Sequence, residues 1–142
     1  MLHFDEAMKF LEESGVSFEG NRPSDTILEK LDYIANATMT AYNRLPGDRE
    51  LVGWFVFGGA ADADGQITAD GICYIPADPA DRRAAIGISQ EVLEMDLPEF
   101  AVVGVALHEL AHLTAEAHDD LFVERLMELQ YNYYKLKEGL SR

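Results

Sequence analysis

Cysteine is almost absent from this chain of 142 residues: Cys73 stands alone. No internal disulfide can form, and its place in an apolar run reads as a small buried hydrophobe, not a thiolate nucleophile. Long apolar runs are missing too. No stretch reaches eighteen apolar residues, and the amino terminus, MLHFDEAMKF, carries acids where a secretory signal carries basic residues and an apolar core. A membrane-spanning helix is excluded on this reading, and a cytoplasmic protein with no membrane partner is expected. Positive charge is scarce as well, with 11 Lys and Arg against 26 Asp and Glu and a formal net charge of −15. Such a chain repels phosphate backbones, so nucleic acid is not an expected partner. Between Arg83 and Arg125 there is no Lys or Arg at all, while Glu91, Glu94, Asp96, Glu99, Glu109, Glu116, Asp119, Asp120 and Glu124 fall there. By default that is a solvated acidic face.

What is present suffices for one packed domain, since 48% of the residues are hydrophobic. Residues 1–46 read as amino-terminal helices. Phe4–Ser14 is a short amphipathic helix closed by Gly15. A longer one starts at a Ser24 or Asp25 cap and carries Ile27, Leu31, Ile34, Thr38, Tyr42 and Leu45 at helical spacing until Pro46-Gly47. Residues 51–89 read as a sheet region. Leu51–Phe57 and Gly71–Ile75 are aromatic and β-branched strands joined by a polar loop, and Ala84–Ser89 is a third strand, followed by a helical turn over Gln90–Met95 that Ser89 caps. Residues 98–139 read as two helices. The first begins at Pro98, in its opening turn, and runs through EFAVVGVALHELAHL; the second spans Asp120–Glu138, with Phe122, Leu126, Leu129, Tyr133 and Leu136 on one side and Gly139 just past its end. The order predicts an α+β domain: a small three-stranded sheet packed against the HELAH helix, flanked by amino- and carboxy-terminal helices.

The informative pattern is His108-Glu109-Leu110-Ala111-His112. Imidazoles at i and i+4 sit about one turn apart on the same helix face, where they can share one metal ion. Glu109 is about 100° around the helix from His108, close enough to act on a water without entering the coordination sphere. The helix is otherwise apolar on nearly every side, which predicts burial. Two histidines and a glutamate left unpaired in such surroundings would cost several kcal/mol, and Zn²⁺ bound by neutral imidazoles removes most of that penalty. A third protein ligand is required for a catalytic zinc with one open position. His118 is the best placed, provided the chain turns within Thr114-Ala115-Glu116-Ala117, which contains neither glycine nor proline. Glu124 and Glu128 are the substitutes.

His108-Glu109-Leu110-Ala111-His112-Leu113, five residues, His118 and then Phe122 resembles the metallopeptidase group that includes the SprT-like, WLM and YgjP-type proteins. The preceding Ile86-Gly87-Ile88-Ser89, Val92-Leu93 and Leu97-Pro98 are similar to that group as well. The resemblance covers roughly residues 84–130 and none of the first eighty. It implies a zincin core in which a strand lines the cleft and a turn bears the third histidine. It also implies a peptide or protein substrate and zinc as cofactor, with His108, His112 and His118 as ligands and Glu109 as general base and then acid. The group's DNA-associated branch does not suit so acidic a chain. Metzincins share part of the spacing, but Ala115 stands where their glycine turns the chain, and the remaining residues read as helix where their methionine turn belongs. The YbeY-type ribonucleases share the histidine spacing but carry glycine where Glu109 stands. They remain the alternative enzyme, and a zinc-stabilised binding module the non-catalytic one.

Other features are weaker. Asp62-Ala63-Asp64-Gly65-Gln66-Ile67 resembles the middle of an EF-hand loop but lacks ligands at its first and last positions, Ala60 and Gly71, so a polar hairpin loop is expected. Trp54, Phe55 and Phe57 read as core, and Tyr131, Tyr133 and Tyr134 as packing residues, with one of them or Tyr74 available to stabilise an oxyanion.

Overall fold

The structure, a computed structural model, describes residues 4–16, 22–58 and 69–140. The polar loop with the EF-hand-like segment lies outside the described residues. Five helices and three strands follow in the order α1 (Phe4–Glu13), α2 (Asp25–Met39), β1 (Glu50–Phe57), β2 (Gly71–Tyr74), β3 (Arg83–Ser89), α3 (Gln90–Glu94), α4 (Glu99–Ala111) and α5 (Asp120–Leu140). The fold is α+β with a small mixed sheet. β3 lies in the middle, parallel to β1 (Trp54 opposite Ile86, Phe57 opposite Ser89) and antiparallel to β2 (Gly71 opposite Ile88, Tyr74 opposite Ala85).

Both faces of the sheet are covered, which is why β1 and β3 read as near-continuous apolar runs. Trp54, Phe55, Phe57, Ile86 and Ile88 are all at most 2% exposed. The alternation of β2 shows which helix covers which face. Tyr74 packs edge-on against Phe10 of α1, with ring centroids 5.8 Å apart. Gly71, three residues earlier and so on the opposite face, abuts Val105 and Glu109 of α4. α4 in turn packs against α2 and α5.

Four sequence expectations need correction. α2 stops at Met39, not near Leu45. The Thr38 hydroxyl donates back to the carbonyls of Ile34 (2.8 Å) and Ala35 (3.2 Å). Asp48 then takes the hydroxyl of Tyr42 (2.9 Å) and the amide of Leu45 (3.0 Å), drawing that segment off the helical path. Pro98 is the N-cap of α4 and lies outside its first turn, and the helix ends at Ala111. Gly139 lies inside α5, which continues to Leu140. Tyr131 and Tyr134, expected to pack, are 64% and 55% exposed, whereas Tyr133 is buried. Elsewhere Ser24 caps α2 and Ser89 caps α3 through side-chain oxygens, as their positions predict.

Candidate metal centre

His108 and Glu109 lie in the last turn of α4, and His112 is its C-cap residue. The histidine-bearing stripe is the side of α4 that stays least covered. Phe100 is 64% exposed and Ala101, Gly104, Val105, His108 and His112 are half-buried, whereas Val102, Val103, Ala106, Leu107 and Leu110 are buried. The expectation of a helix buried all round therefore fails on this side. His118 is exposed and comes back to the same place: its Nε2 lies 3.1 Å from Nε2 of His108.

One nitrogen from each of the three imidazoles falls within 4.8 Å of the others, and among the described residues this is the only such group of three potential metal ligands. Two nitrogens bound to one tetrahedral zinc at 2.0–2.1 Å stand about 3.3 Å apart, close to the 3.1 Å between His108 and His118. Behind the rings lies Phe122, 4% exposed, with its centroid 5.0, 4.6 and 4.8 Å from those of His108, His112 and His118. It forms an apolar floor. Nδ1 of His112 is 2.9 Å from the carbonyl of Ala115, and as the donor in that bond it leaves Nε2 deprotonated and free to ligate. Burial, and then the neighbouring His112 and His118, lower the pKa of His108, favouring the neutral ring a metal requires.

Glu109 is 5% exposed, and its Oε2 is buried without a hydrogen-bond partner. Burial pushes its carboxyl up to about 7. Gly71 forms the wall beside it, for a Cβ placed there would stand 2.7 Å from Cγ1 of Val105 and 3.1 Å from Cγ of Glu109. Only a glycine lets β2 approach this turn of α4. Cys73 is pushed up to about 12, by burial first and then by the charge of Glu109. That thiol is protonated and inert, in keeping with its reading as a hydrophobe.

Several expected contributors lie elsewhere. Glu128 is held by Arg125 at 3.0 Å, and neither it nor Glu124 joins the histidine group. One oxygen of Asp119 accepts from the amide of Phe122 (2.9 Å) at the start of α5, and the Ala115 carbonyl is what orients the imidazole of His112. Tyr74 is engaged with Phe10, and the hydroxyl of Tyr133 points to Glu99. Sequence reasoning overlooked Gly71, Arg49 and the pair Asp48–Arg125. Arg125 had a legible signal, since it falls between Phe122 and Leu129 on the stripe that α5 buries.

No protein-family model, no curated protein and no solved structure matches the chain.

Proposed function

We propose that this protein is a zinc-dependent metallopeptidase of the zincin type, with His108, His112 and His118 as ligands and Glu109 as general base and acid. One observation carries the reading. Three imidazole nitrogens converge, two of them borne by the end of α4 that also carries Glu109, a buried carboxylate with an unpartnered oxygen and a pKa of about 7. A purely structural zinc site has no use for such a group, whereas a hydrolase needs one.

Zinc held by the three histidines supplies a Lewis acid and lowers the pKa of water toward neutrality. The chain's own residues do the rest. His112, locked by Ala115, presents Nε2 at a fixed angle, and Phe122 keeps the three rings together from behind. Glu109 would take a proton from the attacking water on its carboxylate and later deliver it to the departing amine. A carboxylate that titrates near neutral pH is suited to both transfers.

Purified protein is expected to hold about one zinc per chain, measured by emission spectrometry, and Glu109→Gln to retain that zinc while peptide hydrolysis falls 10²–10⁴-fold. His118→Ala should release zinc at chelator concentrations that Glu124→Ala and Glu128→Ala withstand. A wild type that binds no transition metal after reconstitution, or one that cleaves RNA and no peptide, would overturn the proposal.

A further inference from the structure

The turn between the second and third histidines has to reverse the chain within five residues, yet it contains no glycine, and no non-glycine residue among those described has positive φ. Its shape is imposed from outside. The Leu113 carbonyl accepts from the amide of Arg49 (2.9 Å), and the Arg49 guanidinium also pairs with Glu116. The Thr114 hydroxyl donates to Oδ1 of Asp48 (2.6 Å) and accepts from Nε of Arg125 (3.2 Å). Asp48 and Arg125 pair directly at 3.0 Å, with side chains only 3% and 2% exposed. Arg125 also holds the Asn43 carbonyl (2.6 Å), and Asp48 holds Tyr42 and Leu45. Adjacent residues at the entrance to β1 thus grip the turn, and Arg125 grips it from α5.

We infer that Asp48, Arg125 and Thr114 are positioning residues for the metal ligands: they hold the 113–116 turn so that His112 and His118 converge. The inference rests on the zinc reading above. Thr114 lies between the two ligands, and the very next residue supplies the carbonyl that orients the His112 imidazole. A shift at Thr114 therefore rotates one ligand and carries the other away with the turn. A fully hydrogen-bonded buried pair is also stiff, because any displacement exposes an unpaired charge to an apolar interior.

Thr114→Val keeps the side-chain shape and removes the hydroxyl, and Thr114→Ser restores it. Zinc affinity is to be measured by chelator competition, with the visible absorption of the Co²⁺-substituted protein as a probe of ligand geometry and the melting temperature of the metal-free protein as a control. The expected result is zinc binding weakened 10–100-fold in T114V with an altered cobalt spectrum, and near wild-type values in T114S. A T114V protein with lowered metal-free stability but wild-type affinity and spectrum overturns the inference, because the network is then structural alone. Should T114V fail to fold, Tyr42→Phe removes one bond to Asp48 at the rim; a several-fold loss of affinity is expected there, and unchanged affinity overturns the inference. A wild type that binds no zinc instead removes the reading beneath it, a separate result.

Discussion

Asp48 and Glu109 are both buried carboxylates, 6% and 5% exposed, placed on either side of the same turn, and their surroundings are opposite. Asp48 has a hydroxyl, a backbone amide, a second hydroxyl and a guanidinium around it. Glu109 has an oxygen with no partner at all. Their titration diverges accordingly. Burial raises the pKa of Asp48, but the Leu45 amide, the Thr114 and Tyr42 hydroxyls and the Arg125 charge outweigh it and leave the pKa below the usual carboxylate range. Burial acts unopposed on Glu109 and raises it to about 7. A saturated buried carboxylate keeps its charge, whereas an unsaturated one is more readily protonated.

The comparison can be broken hardest at Asp48. Arg125→Met leaves that carboxylate buried without its counter-charge, and such losses cost about 3–5 kcal/mol. Chemical denaturation of the metal-free protein should show an unfolding free energy lower by that amount. It can be sharpened by titrating both groups in the metal-free protein. The raised pKa of Glu109 means that its protonated form favours folding, so its contribution is present below about pH 4 and is lost as pH rises through about 7. Metal-free Glu109→Gln should therefore gain on wild type between pH 5 and 8, by up to roughly 3 kcal/mol. Asp48 runs the other way: its contribution is present above the ordinary carboxylate pKa and fades as pH falls through its lowered one. Equal pH profiles for wild type and E109Q would remove the contrast. The smallest change is at the wall. Gly71→Ala pushes a methyl group against Val105 and Glu109, an overpacking expected to cost about 1–3 kcal/mol. If it moves Glu109, hydrolysis should fall by more than zinc content does.

Much of this was legible in the sequence, because helical and strand periods are local signals. The spacing of His108 and His112 on one helix face, the Ser24 and Ser89 caps and the buried aromatic run of β1 are all present in short windows of residues. What was not legible depends on partners distant in the chain. Nothing near Met39 announces that Asp48 will capture Tyr42 and Leu45 and end α2 early. Nothing near Gly71 announces that α4 will press against it. The absence of a glycine between His112 and His118 looked like a difficulty for convergence, and the answer lay 66 residues away, at Asp48. Tyr131 and Tyr134 are exposed because the faces of α5 that pack are those of Phe122, Leu129 and Tyr133.

The same separation in sequence bears on the order in which the molecule assembles. His108 and His118 are ten residues apart, while the bonds of Asp48 to Thr114 and Arg125 close loops of 66 and 77 residues. A ten-residue loop closes in about 10–100 ns, and longer closures carry a larger entropic cost. A cation could therefore gather the three histidines in a chain whose sheet is still unpaired and whose turn Asp48 does not yet hold. A cation present from the first moment of refolding would template the α4–α5 hairpin before Asp48 arrives to hold it. Zinc should then speed the folding limb as well as slow unfolding, whereas an ion captured only by the finished structure changes unfolding alone.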